Sequence, residues 1–299
     1  MEIQDLEKFV EIARQGSLQR AAEVLELTPS ALSKSLKRLE TSLDTQLFDR
    51  VGKSLVLNAQ GANLQPKAVE LINLAASTKL AIGSPNQNTI CRLAAPVLLQ
   101  YKWLSPISRC LQHLEADYKN QISLEVSSLF EQEAFHKLKQ GEVELALVTD
   151  KMLPELRADM QHYPLGKMTM QVAVGKSHPL AKQIKANNLQ VTAETLLQHP
   201  FATPVTSPFC GERRGIGCDG WNEQAFPREI GWQIDDYVIL GQLVKSGLAI
   251  AYLPDFLLRE WQLQRVEVTD CPYQCEEQIY LIYNKRGAPW VKQLVEELG

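Results

Sequence analysis

No stretch of the sequence approaches about 18 uninterrupted apolar residues, which excludes an ordinary transmembrane helix. The opening "MEIQDLEKFV" has neither a basic n-region nor an apolar h-region, so the chain is expected to stay in the cytoplasm, with no membrane as partner. The six cysteines (Cys91, Cys110, Cys210, Cys218, Cys271, Cys275) form no paired CxxC spacing, and the five histidines are scattered. Reduced thiols and no metal site are expected. No GxSxG, P-loop or HExxH stretch occurs and no obvious nucleophile stands beside a histidine; no catalytic residue is nominated and no cofactor is expected. Positive charge is not in excess either: 31 Lys and Arg face 35 Asp and Glu, a net of −4, so the total charge does not announce nucleic acid. Internal repeats and low-complexity blocks are absent too. The 299 residues, 45% of them hydrophobic and 22% charged, are an ordinary globular composition with room for two or three domains.

Order appears along the first 60 residues. "IQDLEKFVEIARQ" places Ile3, Leu6, Phe9, Val10 and Ala13 on one helical face. Gly16 ends that helix and Ser17 can cap the next, "LQRAAEVLE". Thr28 is again a capping residue, with Pro29 at the first helical position, where a missing N–H costs little. In the third helix Leu32, Leu36, Leu39 and Leu43 form one apolar stripe. Ser30, Lys34, Lys37 and Thr41 lie opposite, flanked by Ser33 and Arg38. Small hydroxyls let a helix approach a surface closely, and cations attract phosphate. Two short helices before such a helix describe a helix-turn-helix. "QLFDRVGKSLVLNAQG" then predicts a hairpin, a wing carrying Arg50 and Lys53. The local charge, +2 over residues 27–60, also fits a three-helix bundle with a solvated polar face.

The stretch Leu6 to Gly61, with "GSLQRAAEVLELTPSALSKSLKRLETSLDTQLFDRVGKSLVLNAQG" at its heart, resembles the winged helix-turn-helix of LysR-type transcriptional regulators. The Ala-Ala of the second helix, the serine-rich opening of the third, "RLE", "LF.R" and the wing match in order and spacing. The resemblance implies a third helix in the major groove of double-stranded DNA and a wing beside the minor groove. Carried over by position, Pro29, Ser30, Ser33, Lys34 and Lys37 face DNA, with Arg50 and Lys53 on the wing. Pro29 stands where many members have glutamine and cannot read a base edge. Lys34 stands where arginine is frequent and holds a phosphate without a bidentate fork.

After Gly61, Leu64, Ala68, Leu71, Ala75, Thr78 and Ile82 step as a heptad seam on a helix in which Pro66 introduces a kink, before the linker "GSPNQN". The resemblance implies that this helix pairs with its copy in a dimer or tetramer, and that RNA polymerase is a further protein partner. From Thr89 strand and helix patterns alternate, as in α/β units on parallel sheets. "ICRLAAP", "ISLEVSS", "VELALVT", "TMQVAVG", "EIGWQI", "LAIAYLP" and "QIYLIYN" read as strands, with helices at Leu104–Tyr118, Glu131–Gln140, Tyr237–Lys245 and Trp290–Leu298. "GEVELALVT" and "LVKSGLAIAYLP" resemble the family's regulatory domain, a two-lobed fold similar to periplasmic solute-binding proteins. The fold class expected is thus mixed α+β and α/β. It comprises a winged helix-turn-helix over 1–60, a linker helix and hinge over 61–88, and an effector-binding domain over 89–299. Its first lobe would take about 89–162 and 267–299, its second about 163–266.

Ligands in such folds bind between lobes, at strand C-termini and helix N-termini. That rule nominates Pro96, Val97, Leu98, Ser128, Phe130, Thr149, Thr203 and Asp235 as effector contacts. Helix N-termini favour anions, which points to a small carboxylate effector. The segment "SPFCGERRGIGCDGWNEQAFPR" holds Cys210, Cys218, Arg213, Arg214 and Trp221. It admits three readings: a redox pair, an anion or partner site built on the arginines, and a Gly-rich surface loop. Outside DNA regulation the rival reading is a small-solute-binding protein of transport, which would need export.

Overall fold

Apolar residues recurring every three or four positions fold the N-terminal part into α1 (Ile3–Gln15), α2 (Leu18–Val24) and α3 (Pro29–Leu43). The structure is a computed structural model and describes residues 1–52, 54–81, 89–118, 122–187, 190–213, 215–271, 274–285 and 287–299. Gly16, at φ 60°, closes α1 with its N–H on the Ile12 carbonyl. The Ser17 side chain accepts from the Arg20 N–H at the start of α2. Thr28 accepts from the Ala31 N–H at 3.2 Å, with Pro29 first in α3. Leu6, Phe9 and Ile12 meet Leu32, Leu36 and Leu39 in one core with Leu47 and Phe48. The Phe9 and Phe48 rings sit edge to face, 5.5 Å apart. Asp5 is buried beneath α3: it accepts from the Ser35 hydroxyl at 2.5 Å and from the Arg38 fork. The Arg38 hydrogen bond holds its carboxyl below the ordinary range.

Because Thr28 alone caps α3 through a side chain, Thr28→Ala is expected to cost about 1 kcal/mol of helix-end stability. Urea unfolding of the N-terminal domain, followed by far-UV dichroism, measures this. An unchanged midpoint would mean that water replaces the cap without loss.

Strands β1 (Phe48–Val51) and β2 (Ser54–Leu57) pair antiparallel, with Arg50 opposite Leu55. Asn58 then caps α4 (Ala59–Ala81), its Oδ1 accepting from the N–H groups of Gln60 and Gly61. Gly61 is forced here, since a Cβ would lie 2.1 Å from the Leu47 carbonyl oxygen. Helix α4 starts before Gly61 and continues through Pro66. Its heptad seam is partly used inside the chain. Ala68 is buried, and Leu64 and Leu71 pack against the core beneath α1. Leu74, one step off the seam, is 61% exposed. Ile82 and the linker over 83–88 lie outside the described residues.

The remainder runs β3 (Thr89–Ala95), α5 (Val97–Tyr118), β4 (Ile122–Ser128), α6 (Glu131–Gln140), β5 (Leu145–Thr149), then β6 (Met160–Val174), α7 (Pro179–Asn187), α8 (Ala193–Leu197) and β7 (Phe201–Thr203). It continues with β8 (Ile230–Gln233), α9 (Tyr237–Lys245), β9 (Ala251–Pro254), α10 (Asp255–Glu260), β10 (Gln264–Val266), β11 (Glu276–Asn284) and α11 (Pro289–Glu297). β3 pairs parallel with β4 and β5, as the alternating pattern requires. β6 departs from expectation. Its residues 160–169 pair antiparallel with β11, and from Met170 to Val174 it pairs instead with β9 and β10. One continuous strand thus serves both lobes, and the expected boundary near residue 162 falls inside it. Helix α5 also begins seven residues before the expected Leu104 and passes through Pro106.

Candidate nucleic-acid interface and effector cleft

The side of α3 away from Leu32, Leu36 and Leu39 is open. Pro29, Ser30, Ser33, Lys34 and Lys37 are all exposed along it. Ser30 lies 3.1 Å from the Thr28 hydroxyl, at the capped end. Arg38 is turned aside by Asp5 and by Glu2, 3.5 Å away, so it braces α3 against α1 rather than joining that row. Arg50 is exposed on the wing strand β1, and Lys53 lies outside the described residues. The surface combines two small hydroxyls and two uncommitted ammonium groups on one helix face. It suits the close approach of a polyanion.

Between the lobes lies a cavity of about 260 Å³. The first lobe contributes Pro96, Val97 and Leu98 at the start of α5, Ser128 and Leu129 at the end of β4, and Phe130 and Glu133 at the start of α6. Thr206, Ser207, Pro208, Asp235 and Tyr237 form the opposite wall. Asp235 Oδ1 accepts from the N–H groups of Val205 (2.8 Å) and Thr206 (2.9 Å) and from the Thr206 hydroxyl (3.1 Å). One carboxylate oxygen therefore shapes that wall. Across the mouth the Glu131 N–H donates to the Phe209 carbonyl at 2.9 Å. Gly211, at φ +70°, lies flat on the Phe130 ring, where a Cβ would meet the ring at 2.5 Å. The Tyr237 ring lines the cavity, while its hydroxyl is shut from solvent and makes no hydrogen bond among the described residues. Burial pushes that phenol well above its usual range.

Six of the eight residues nominated for the effector meet in this cavity: Pro96, Val97, Leu98, Ser128, Phe130 and Asp235. Thr149 and Thr203 do not line it. Both are fully buried. The Thr149 N–H and hydroxyl donate to Glu131, at 2.5 and 3.2 Å, which fastens β5 to α6. Burial raises the Glu131 carboxyl above its ordinary range. Glu133 and the Thr206-Ser207-Pro208 wall escaped the strand-end rule. Glu133 sits in the first turn of α6, and the wall belongs to a loop whose N–H groups at Val205 and Thr206 donate to Asp235, distant in sequence.

The segment after Pro208 is exposed at residues 212, 213, 215 and 216 and then turns inward. Cys218, Asp219, Trp221 and Arg228 are buried. Arg228 holds Asp219 with both terminal nitrogens (2.9 and 2.7 Å) and Glu223 through Nε (2.7 Å). Trp221 packs on Phe201, Phe226 and Tyr252. Cys210 is half-buried and Cys218 is buried, with its Sγ 3.3 Å from the Val205 carbonyl. Arg214 lies outside the described residues, and Arg213 is exposed. Among the described residues there is no cluster of three His, Cys, Asp or Glu fit for a metal.

A winged helix-turn-helix joined through a long helix to a two-lobed α/β domain with an interlobe cavity is the construction of a ligand-responsive DNA-binding protein. Residues 3–62 match the profile of the bacterial regulatory helix-turn-helix proteins of the lysR family, and residues 87–299 match the LysR substrate binding domain. The chain belongs to the LysR family: it is a DNA-binding transcriptional regulator with an effector-binding domain. Among curated relatives, the transcriptional regulator MetR of Salmonella typhimurium is 27% identical over 272 residues, 90% of this chain and 80% of MetR. A full-length OxyR variant from Pseudomonas aeruginosa shares the fold at a TM-score of 0.70 and 18% identity, over 100% of this chain and 94% of that one. ArgP from Mycobacterium tuberculosis does so at 0.67 and 20%, over 98% and 94%. Among the described residues no helix is long and apolar enough to cross a membrane.

Proposed function

We propose that this regulator docks α3 in the major groove through Ser30, Ser33, Lys34 and Lys37, with Pro29 at the close-approach end and Arg50 on the wing. The observation that carries the reading is the division of α3. Leu32, Leu36 and Leu39 are committed to the core, while the two serines and two lysines are exposed and take no part in it. Lysines in such a row neutralise phosphates and release counterions, so affinity falls with salt. Lys34→Ala is expected to weaken binding to all duplex sequences alike and to flatten the plot of log affinity against log salt by about one ion. Fluorescence anisotropy over a salt series measures it, and an unaltered slope would remove Lys34 from the phosphate contacts.

The interlobe cavity is the effector site, with Pro96, Val97, Leu98, Ser128, Phe130 and Asp235 in contact with the ligand. The protein acts in the cytoplasm as an oligomer, with the exposed Leu74 of α4 facing a second copy. RNA polymerase is its partner at promoters.

A further inference from the structure

We propose that the effector is a compact molecule with an apolar body and an ammonium group, not a carboxylate; this rests on the interlobe cavity being the effector site. The walls decide the body. Pro96, Val97, Leu98, Leu129, Phe130 and Pro208 present carbon to the cavity, and such a surface rewards an apolar ligand by the area it removes from water. The charged groups decide the head. Among the described residues the lining includes two acids, Glu133 and Asp235, and no lysine, arginine or histidine. Neither acid is in an ion pair among the described residues. Of the two Asp235 oxygens, Oδ1 accepts three hydrogen bonds from residues 205 and 206, and Oδ2 accepts none among the described residues. Beside it the Tyr237 ring lines the cavity, with its hydroxyl shut from solvent, so the polar group that a ligand meets at this end is the Asp235 carboxylate.

Of the helix ends that favour anions, that of α9 is closed by a side chain and that of α6 has no side-chain cap. Asp236 accepts from the Val238 and Ile239 N–H groups and so caps α9. The α6 end carries Glu131 and Glu133 in its first turn, and its Glu131 N–H is given to Phe209. A carboxylate placed in this cavity would face two carboxylates with no described cation to offset them. An ammonium placed near Asp235 and Glu133 would be held by charge-assisted hydrogen bonds.

The test uses the full-length protein and three probes that share one body: 2-phenylethylamine, 2-phenylethanol and phenylacetate. Isothermal titration calorimetry near neutral pH is expected to rank the amine at least about tenfold above the alcohol, with the carboxylate weakest. Asp235→Asn keeps an Oδ1 acceptor for residues 205 and 206 while removing the charge. It should collapse the preference for amine over alcohol, and Glu133→Gln should reduce it. A carboxylate that binds best, or an amine preference that survives both substitutions together, overturns the ligand class. Val97→Trp, which fills the cavity from an exposed position, separates the two readings. Carboxylate binding lost in that variant refutes the ligand class and leaves the cavity as the site. Binding that the variant leaves untouched refutes the cavity. Failure of all three probes to bind refutes the apolar-body assignment.

Discussion

Arg228→Met is expected to destabilise the effector-binding domain by about 3–5 kcal/mol and to abolish effector response while duplex binding persists. The side chains of Arg228 and Asp219 are both fully buried, and they share two hydrogen bonds at 2.7 and 2.9 Å. Methionine matches the arginine in bulk but leaves the Asp219 carboxylate buried without its cation, and Glu223 loses its 2.7 Å bond. The guanidinium also lies over the Phe201 and Trp221 rings, 5.1 and 5.4 Å from their centroids, so the loss reaches the aromatic core. Residues 204–228 then lose the anchor at their far end, and the Thr206–Pro208 wall of the cavity goes with them. The N-terminal domain has its own core around Phe9 and Leu32, which the substitution does not touch. Urea unfolding, with duplex titration in the presence and absence of 2-phenylethylamine, measures both effects. Arg228→Lys should fall between, since an ammonium restores charge without the fork. An unfolding midpoint equal to wild type would mean that the buried pair contributes nothing net.

A second large effect concerns pH. Glu144 accepts the Arg92 N–H at 2.6 Å and lies 3.7 Å from the Arg92 guanidinium. Burial outweighs these contacts and pushes its carboxyl up to about 7 from an ordinary 4.5. Between those values the unfolded chain has released this proton and the native chain still holds it. Native stability therefore falls as pH rises from about 4.5 to about 7, then levels off. The drop from this group is about 3 kcal/mol. Glu144→Gln keeps a carbonyl for the Arg92 N–H and removes the titration, while Arg92 retains Glu125 at 3.1 Å. The variant is expected to exceed wild type in stability at about pH 8 by that amount and to match it near pH 5. Urea midpoints at four pH values give the result. Parallel pH profiles for the two proteins would show that Glu144 ionises alike in both states.

The parts legible in the sequence were those written locally. Thr28-Pro29 announces the start of α3, and the leucine stripe announces which side is buried. The wing, β3, β4, α6 and α9 follow from runs and caps within a few residues. The start of α5 was hidden because Pro96-Val97-Leu98-Leu99 has no helical periodicity, and Pro106 suggests a break that the helix tolerates. The first half of β6 was hidden by Pro164 and Gly166, which read as turn residues until β11 supplies the pairing. The burial of Trp221 and Arg228 depends on Phe201 and Asp219, contacts set by the tertiary fold. At the cavity, strand ends supplied Pro96–Leu98 and Ser128–Phe130. The same rule misplaced Thr149 and Thr203, which end their strands facing inward.

The single strand β6 has a consequence for how such proteins can be recombined. A designer wishing to transplant the second lobe from one relative to another would look for a loop at each crossing, and one crossing lies between β10 and β11. The other crossing lies at Thr169-Met170, mid-strand, where the pairing partner changes from β11 to β9. A graft cut there must match strand register on both sides, because a one-residue slip turns every following side chain to the opposite face. With the interlobe cavity as the proposed effector site, ligand specificity is more readily exchanged by substitutions around it than by trading whole lobes.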